Sequence, residues 1–502
     1  MSRLTIYFTS DTHGYLYNTT FADTLPKPVG MLGMEFPKDG NTLIVDGGDT
    51  IQGSPLTYFL HEKHRRQIMA DVMNGKGYDY ITLGNHDFNY GPGWLSEFLN
   101  GLEAVCLCAN VEDLTGTLPI RKWEIRTMAN GLRIGLFGIV THWVNVWEKK
   151  ENLKTLRITP PVPAAHEAVR ALQEAGCDKI IGIYHGGMEK DLKTGERLTE
   201  TDENEACRLC EELPIDLLLT GHQHIPFAGK MWHGTHLVQT PCYGKSYVRV
   251  EMDDEGNFSS QLFTPSAEQT WTEEETAVRA DLESWLDSPV GHLSRDLWPG
   301  DRLQMARHGS EIADFFNRVQ LWATGADVSC TALPNECRGF SRNVTVRDVV
   351  ASYIYPNTLC VLKITGKDLR EALEQCATYF TVDAQGGIRI SESFLKPKEE
   401  HYNYDFFAGI KYAFDLSRPC GSRMIRIERK GQPVNDGDEM TLCMCDYRAT
   451  GAGQFPMWKA CRHEKDVLTE ISELILQYFA EHAMIDIPPL STMETYLGTR
   501  RL

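Results

Sequence analysis

The sequence predicts an α/β protein in three parts: a layered N-terminal half, a linker helix, and a smaller C-terminal domain of mixed α+β type. Three observations lead there. The chain has 502 residues, too many for one hydrophobic core, so two or three domains are expected. The first half alternates short apolar runs with amphipathic stretches, the pattern of a layered α/β domain. A charged stretch of helical pattern at 272–286, closed by Ser288-Pro289-Val290-Gly291, separates that half from the rest.

In chain order, Leu43-Ile44-Val45, Tyr80-Ile81-Thr82-Leu83 and residues 134–139, 180–183 and 216–219 read as buried strands. A helix is expected at 163–175. In the C-terminal part, 311–324 and 366–379 read as helices, and 361–364, 424–427 and 440–443 as strands. The expected boundaries are 1–264, 265–295 for the linker helix, and 296–502. Apolar residues make up 42% of the chain and charged residues 24%, the balance of a soluble globular protein. No apolar run is long enough to span a bilayer. Met1 leads almost at once into Leu4-Thr5-Ile6-Tyr7-Phe8 with no basic leader, so a cytoplasmic location is expected.

Fifty basic and 69 acidic side chains give a formal charge of −19. That surface repels nucleic-acid backbones and anionic membranes, which argues against long DNA or RNA and against a membrane as partners. A small phosphate ester stays compatible, because bound cations dominate the field of a pocket. The 14 cysteines are expected to be reduced. Cys106 and Cys108, and Cys443 and Cys445, alternate as on strands. Cys207 and Cys210 have CxxC spacing without a second pair, which reads as thiols on an amphipathic helix rather than a zinc site.

Nearly every N-terminal strand ends on a polar cluster: Asp11-Thr12-His13-Gly14, Gly47-Gly48-Asp49, Gly84-Asn85-His86-Asp87, His185-Gly186-Gly187 and Gly221-His222-Gln223-His224. Active sites of open α/β sheets lie outside the carboxyl ends of strands. Oxygen and imidazole donors suit Mn²⁺, Fe²⁺, Co²⁺ or Zn²⁺ better than soft metals. Two such ions about 3.5–4 Å apart need a shared ligand, which one aspartate held between strand ends can be.

The order of these clusters resembles the calcineurin-like metallophosphoesterase superfamily. Within it, the chain resembles the two-domain 5′-nucleotidase / 2′,3′-cyclic-nucleotide phosphodiesterase family over nearly its whole length. The resemblance implies an α/β/β/α catalytic domain followed by a substrate-binding nucleotidase domain. It assigns Asp11, His13, Asp49 and His224 to one divalent metal, and Asp49, Asn85, His185 and His222 to a second, with Asp49 as the bridge. It makes His86 the catalytic histidine, with Asp87 and Asn89 supporting the site, and leaves Asp46 without a ligand role. It implies hydrolysis of a small-molecule nucleotide ester in nucleotide catabolism, a metal-bridging hydroxide attacking phosphorus in line.

Two departures bear on the substrate. Many 5′-nucleotidases of this family have aspartate where Asn89 stands, paired with the catalytic histidine, and often glutamine where His224 stands. Both differences resemble the cyclic phosphodiesterase/3′-nucleotidase branch. In the second domain, Tyr355 before Pro356 and Tyr447 before a Gly/Ala loop resemble the pair that sandwiches a base, with Asn357 able to reach its edge. The segment 403–410 resembles a nucleoside-facing stretch. Arg338 lacks the glycine-rich surroundings of its family counterpart, and Gly453 stands where an aspartate is expected. The leading expectation is therefore a 2′,3′-cyclic-nucleotide 2′-phosphodiesterase/3′-nucleotidase. A 5′-nucleotidase or nucleotide-sugar hydrolase is the alternative, and a non-catalytic nucleotide-binding protein the distant one.

Overall fold

The computed structural model describes the chain apart from residues 1–2, 18–29 and 199–200 and the single positions 269, 356, 397, 468, 483, 489 and 491. Pro356 thus lies outside the described residues. The chain forms two compact units, Met1–Leu282 and Glu283–Leu502, and the division falls within helix Glu273–Leu286. Among the described residues, no helix is long and apolar enough to cross a membrane.

The first unit packs two sheets face to face. One has seven strands, in the order Phe258–Phe263, Tyr247–Met252, Leu4–Thr9, Thr42–Asp46, Tyr80–Ile81, Val105–Leu107 and Ile120–Arg121. The other has six, in the order Phe227–Trp232, Thr235–Gln239, Leu217–Thr220, Lys179–His185, Arg133–Val140 and Trp123–Thr127. Alternation along each strand sends one set of side chains between the sheets. Ile6, Phe8, Leu43 and Val45 of the first meet Leu136, Ile181, Ile183 and Leu219 of the second in one buried cluster. The opposite face of the second sheet (Phe137, Ile139, Ile180, Leu218) is covered by helices Pro161–Glu174 and Ala206–Glu212. Cys207 and Cys210 are buried there as apolar residues, and burial pushes the Cys210 thiol up to about 12. Ile44 faces away from the central cluster, toward the end of helix Met69–Lys76 at Gly77. The layers run α/β/β/α.

Parallel pairing brings the strand ends level. Thr9 lies opposite Asp46 and Asp46 opposite Ile81 in the first sheet. His185 lies opposite Val140 and Tyr184 opposite Thr220 in the second. All five polar clusters therefore leave the sheets at carboxyl ends.

The second unit is α+β. Its mixed sheet orders Asp405–Ala408, Val328–Ala332, Glu439–Cys445, Leu359–Thr365 and Arg462–Val467. A second five-stranded sheet is built around Lys411–Asp415. Helix starts follow the sequence: Ser310 accepts the Ala313 N–H to cap Glu311–Thr324, and Thr365 with Asp368 forms a capping box for Gly366–Ala377.

Candidate metal centre

The residues of the five clusters converge. Asp11 Oδ1 lies 3.2 Å from His224 Nε2 and 4.0 Å from His185 Nε2. Asp49 Oδ2 lies 3.2 Å from His185 Nε2 and 3.8 Å from His13 Nε2. Asn85 Oδ1 faces His185 Nε2 at 3.1 Å and His222 Nδ1 at 2.9 Å. At this centre, two triads of described residues have donors close enough to share an ion, Asp11/His13/His224 and Asp11/Asp49/His185, and a third group, Cys360/His463/Asp466, lies in the second unit. Asp11 belongs to both by distance, so in this geometry two carboxylates stand at the centre.

The outward nitrogens of the histidines are fixed from behind. His13 Nδ1 lies 3.0 Å from the Gln52 carbonyl and His185 Nδ1 2.7 Å from the Gly47 carbonyl. A carbonyl only accepts, so each Nδ1 carries a proton and Nε2 is the nitrogen turned to the centre, the one a metal ion would take as ligand on displacing any proton there. Burial lowers the His13 pKa to about 4. Burial also pulls His185 down, but Asp49 and Asp11 outweigh it and lift it to about 9. His224, beside Cys242 and Asp11, rises against burial to about 10. The carboxylates that lift His185 and, behind Cys242, contribute to lifting His224 form a field that draws cations, and the donor set fits divalent ions of borderline hardness.

The backbone is strained here. Asp11, His13, Asp49, His222 and His224 all have positive φ, between 50° and 69°, a region that costs non-glycine residues about 1–3 kcal/mol each. Glycines permit the close approach: a Cβ on Gly84 would stand 2.1 Å from Asp49 Oδ1, and one on Gly221 2.6 Å from Asp11 Oδ2.

Asp87 does not face the centre. Its two oxygens accept the backbone N–H groups of Asp49, Thr50, Ile51 and Gly84 and so hold two of the loops. The fully buried Asp46 accepts from Thr9 Oγ1, Thr50 Oγ1 and the Gly48 N–H. Burial pushes its carboxyl up to about 7. The unfolded chain gives up this proton first, near pH 4, so stability falls as pH rises from about 4 to about 7 and levels off above. Asp46→Asn is expected to flatten that slope in urea unfolding across the pH range. An unchanged slope would show that Asp46 ionises freely in the fold.

His86 stands beside the centre, its ring 5.2 Å from that of His13 and its backbone N–H donating to Asp49 Oδ1 at 2.7 Å. Its Nδ1 meets Asn89 Oδ1 at 2.7 Å. Two neighbours escaped the sequence reading. Glu203 Oε1 lies 2.9 Å from His222 Nε2, and Trp147 stacks on His222 at 5.4 Å. Glu203 comes from a loop and Trp147 from the end of the short helix Val144–Trp147, neither with a motif of its own. Histidines left unassigned by the sequence have other partners: His61 stacks on Tyr90, His142 pairs with Asp202, and His236 bonds Ser260.

In the second unit, Tyr355, Asn357 and Tyr447 are half-buried. Their segments leave adjacent strands at one end of the sheet, where Leu359 pairs with Cys445. Thr358 Oγ1 donates to Asp446 Oδ2 at 2.9 Å, tying the two segments together. The segment 403–410 is buried except at Gly409, its Asp405–Ala408 part is a strand, and Asp405 lies 2.9 Å from Arg448. This explains Gly453. Its φ is +69°, and a Cβ would meet Arg448 Nη1 and Asn403 Oδ1, so an aspartate there would have to displace both side chains. Arg338 Nε lies 3.4 Å from Asp348.

Residues 4–226 match the calcineurin-like phosphoesterase family and residues 289–460 the 5′-nucleotidase C-terminal domain. A Staphylococcus aureus structure described as a 5′-nucleotidase is 30% identical, superposes with a TM-score of 0.88 and covers 98% of this chain and 99% of its own. The trifunctional nucleotide phosphoesterase of Bacillus subtilis is 24% identical over 96% of this chain, which spans only 38% of that protein's length. The 2′,3′-cyclic-nucleotide 2′-phosphodiesterase/3′-nucleotidase of Haemophilus influenzae is 22% identical over 90% of this chain and 80% of its own.

Proposed function

The chain belongs to the two-domain family that joins a calcineurin-like phosphoesterase to a 5′-nucleotidase C-terminal domain, and on that premise we propose that it hydrolyses phosphate esters of nucleotides, with 2′,3′-cyclic nucleotides and 3′-nucleotides preferred. Asp11, His13, Asp49 and His224 would hold one divalent ion, and Asp49, Asn85, His185 and His222 the other. When bound, such a pair supplies Lewis-acid charge and water of lowered pKa. Any of Mn, Zn, Fe or Co suits these donors. The chain's own part falls to His86. In-line displacement at phosphorus builds charge on the phosphoryl and leaving oxygens. With Nδ1 committed to Asn89, His86 Nε2 is the group available to meet that charge.

The observation that carries the substrate reading is the neutral partner of His86. Asn89 accepts from Nδ1 but brings no charge of its own, so it holds the imidazolium less firmly than an aspartate would. A cyclic diester bears one negative charge, and ring strain eases departure of its leaving oxygen. It therefore asks less of the acid than a monoester dianion does, while the 3′-nucleotides, monoester dianions themselves, enter the proposal on the resemblance of Asn89 and His224 to the cyclic phosphodiesterase/3′-nucleotidase branch. Tyr355 and Tyr447, on segments tied by Thr358 and Asp446, would stack the base, and Asn357 would reach its edge. The 30% identical Staphylococcus aureus protein described as a 5′-nucleotidase favours 5′-nucleotides as the second reading. The net charge of −19 disfavours long nucleic acids. Fourteen free thiols suit a reducing compartment such as the cytoplasm.

A panel of 2′,3′-cyclic, 3′- and 5′-nucleotides, assayed with Mn²⁺ alongside a single-stranded oligonucleotide, tests this. The expected preference in kcat/KM for the first two classes over 5′-nucleotides is at least about tenfold, or ~1.4 kcal/mol in the transition state. Equal rates on all three would sink the argument from Asn89.

A further inference from the structure

We propose that Glu148 is the positioning residue of His86, acting through Asn89. The inference rests on the role given to His86 above. Asn89 Nδ2 donates to Glu148 Oε2 at 2.6 Å. The other oxygen, Oε1, accepts the Lys149 N–H at 2.7 Å and Asn152 Nδ2 at 2.9 Å. Asn152 Nδ2 also donates to the Asn89 carbonyl at 2.9 Å. Every partner of the Glu148 carboxylate here is thus a donor, as an ionised carboxylate requires.

The consequence runs along the chain of bonds. A carboxylate only accepts, so the NH₂ of Asn89 must face Glu148. The amide oxygen must then face His86, 2.7 Å from Nδ1. An amide oxygen also only accepts, so Nδ1 carries a proton. Glu148 thereby sets the tautomer of a ring it does not touch. The two ends of an asparagine amide have nearly the same shape, and without Glu148 the group is free to turn over. An NH₂ facing Nδ1 would force that nitrogen to accept and would exclude the imidazolium. With the oxygen facing Nδ1, both the cation and the Nδ1–H neutral ring fit.

The arrangement also gives a reason for the asparagine. The carboxylate that many relatives would place directly on this histidine stands one residue further out, 59 positions along the chain from Asn89. The same segment braces the centre a second time, since Trp147, next to Glu148, stacks on His222 with an interplanar angle of 21°.

The test compares Glu148→Ala, the isosteric Glu148→Gln, and the double variant Asn89→Asp/Glu148→Ala. Misorienting a reacting group costs up to ~10²-fold, so Glu148→Ala is expected to lower kcat by about 10- to 100-fold, with KM, metal content and melting temperature kept. Aspartate has two equivalent acceptor oxygens and needs no orienting partner, so the double variant is expected to recover most of the loss. Nitrogen-15 spectra of histidine-labelled protein should show a proton on His86 Nδ1 in the wild type and in the double variant, and a mixed tautomer in Glu148→Ala. Glu148→Gln, which still offers one acceptor oxygen, is expected to fall between the wild type and Glu148→Ala. Wild-type kcat in Glu148→Ala, or no recovery in the double variant, overturns the proposal. His86→Ala run in parallel separates the two readings: if it retains full activity, the role of His86 fails instead.

Discussion

Replacing His86 by alanine lowers kcat by about 10²- to 10⁴-fold, the range of a lost general acid–base group, while the metals stay bound. The side chain is absent from both donor triads around Asp11 and Asp49. What His86 gives to the centre is its backbone N–H, on Asp49 Oδ1, and alanine keeps that bond. The loss should therefore appear equally in kcat and kcat/KM, the mark of an interaction made only in the transition state. Metal analysis of the purified variant, together with its steady-state kinetics, checks both halves. A near wild-type rate would remove His86 from the mechanism, and a loss of metal would make it a structural part of the centre.

Arg448→Ala is expected to destabilise the second unit by about 3–5 kcal/mol, the cost of leaving one member of a buried ion pair alone. Arg448 and Asp405 are almost fully buried, with Nε 2.9 Å from Oδ2. Burial already lifts the Asp405 carboxyl above its usual range, and the guanidinium is the largest influence countering it, ahead of a hydrogen bond with Cys330. Arg448 further donates to the carbonyls of Ala452 and Tyr402 and lies 4.4 Å over the Phe455 ring. Removing it leaves these acceptors unmet as well. Thermal unfolding should show a transition lower by roughly 10 °C, from the usual 2–4 °C per kcal/mol in a unit of this size. Replacing both partners together, as Asp405→Leu with Arg448→Met, should recover much of the loss, because packed apolar residues often match a buried pair. A cost below 1 kcal/mol for Arg448→Ala would mean that water reaches Asp405 in solution.

These two residues mark the boundary of what the sequence discloses. His86 was legible because it sits in a cluster directly after a strand, and order along the chain is enough to line up such clusters. The layering was legible for a similar local reason: runs such as Leu43-Ile44-Val45 declare strands buried on both faces. Arg448 next to Tyr447 reads only as one more polar residue in a loop, since its partner lies 43 positions away. The same holds for Asp46, whose burial no local pattern announces, and for Glu203 and Glu148, which meet His222 and Asn89 from loops without a motif. His185 itself was found, but the carbonyl that fixes its tautomer belongs to Gly47, 138 positions away. Periodicity reports faces and ends of elements. It does not report which donor meets which acceptor once two sheets have closed on each other.

The left-handed backbone at Asp11, His13, Asp49, His222 and His224 sets stability against donor count at the centre. Glycine takes that conformation without strain, and five other non-glycine residues, His64, His233, Tyr243, Lys430 and Gln454, take it as well, so the conformation by itself marks no demand for a side chain. At the centre it couples two quantities. A glycine at any of the five positions would relieve about 1–3 kcal/mol of strain and remove one donor, so fold stability and cation affinity are expected to move in opposite directions there.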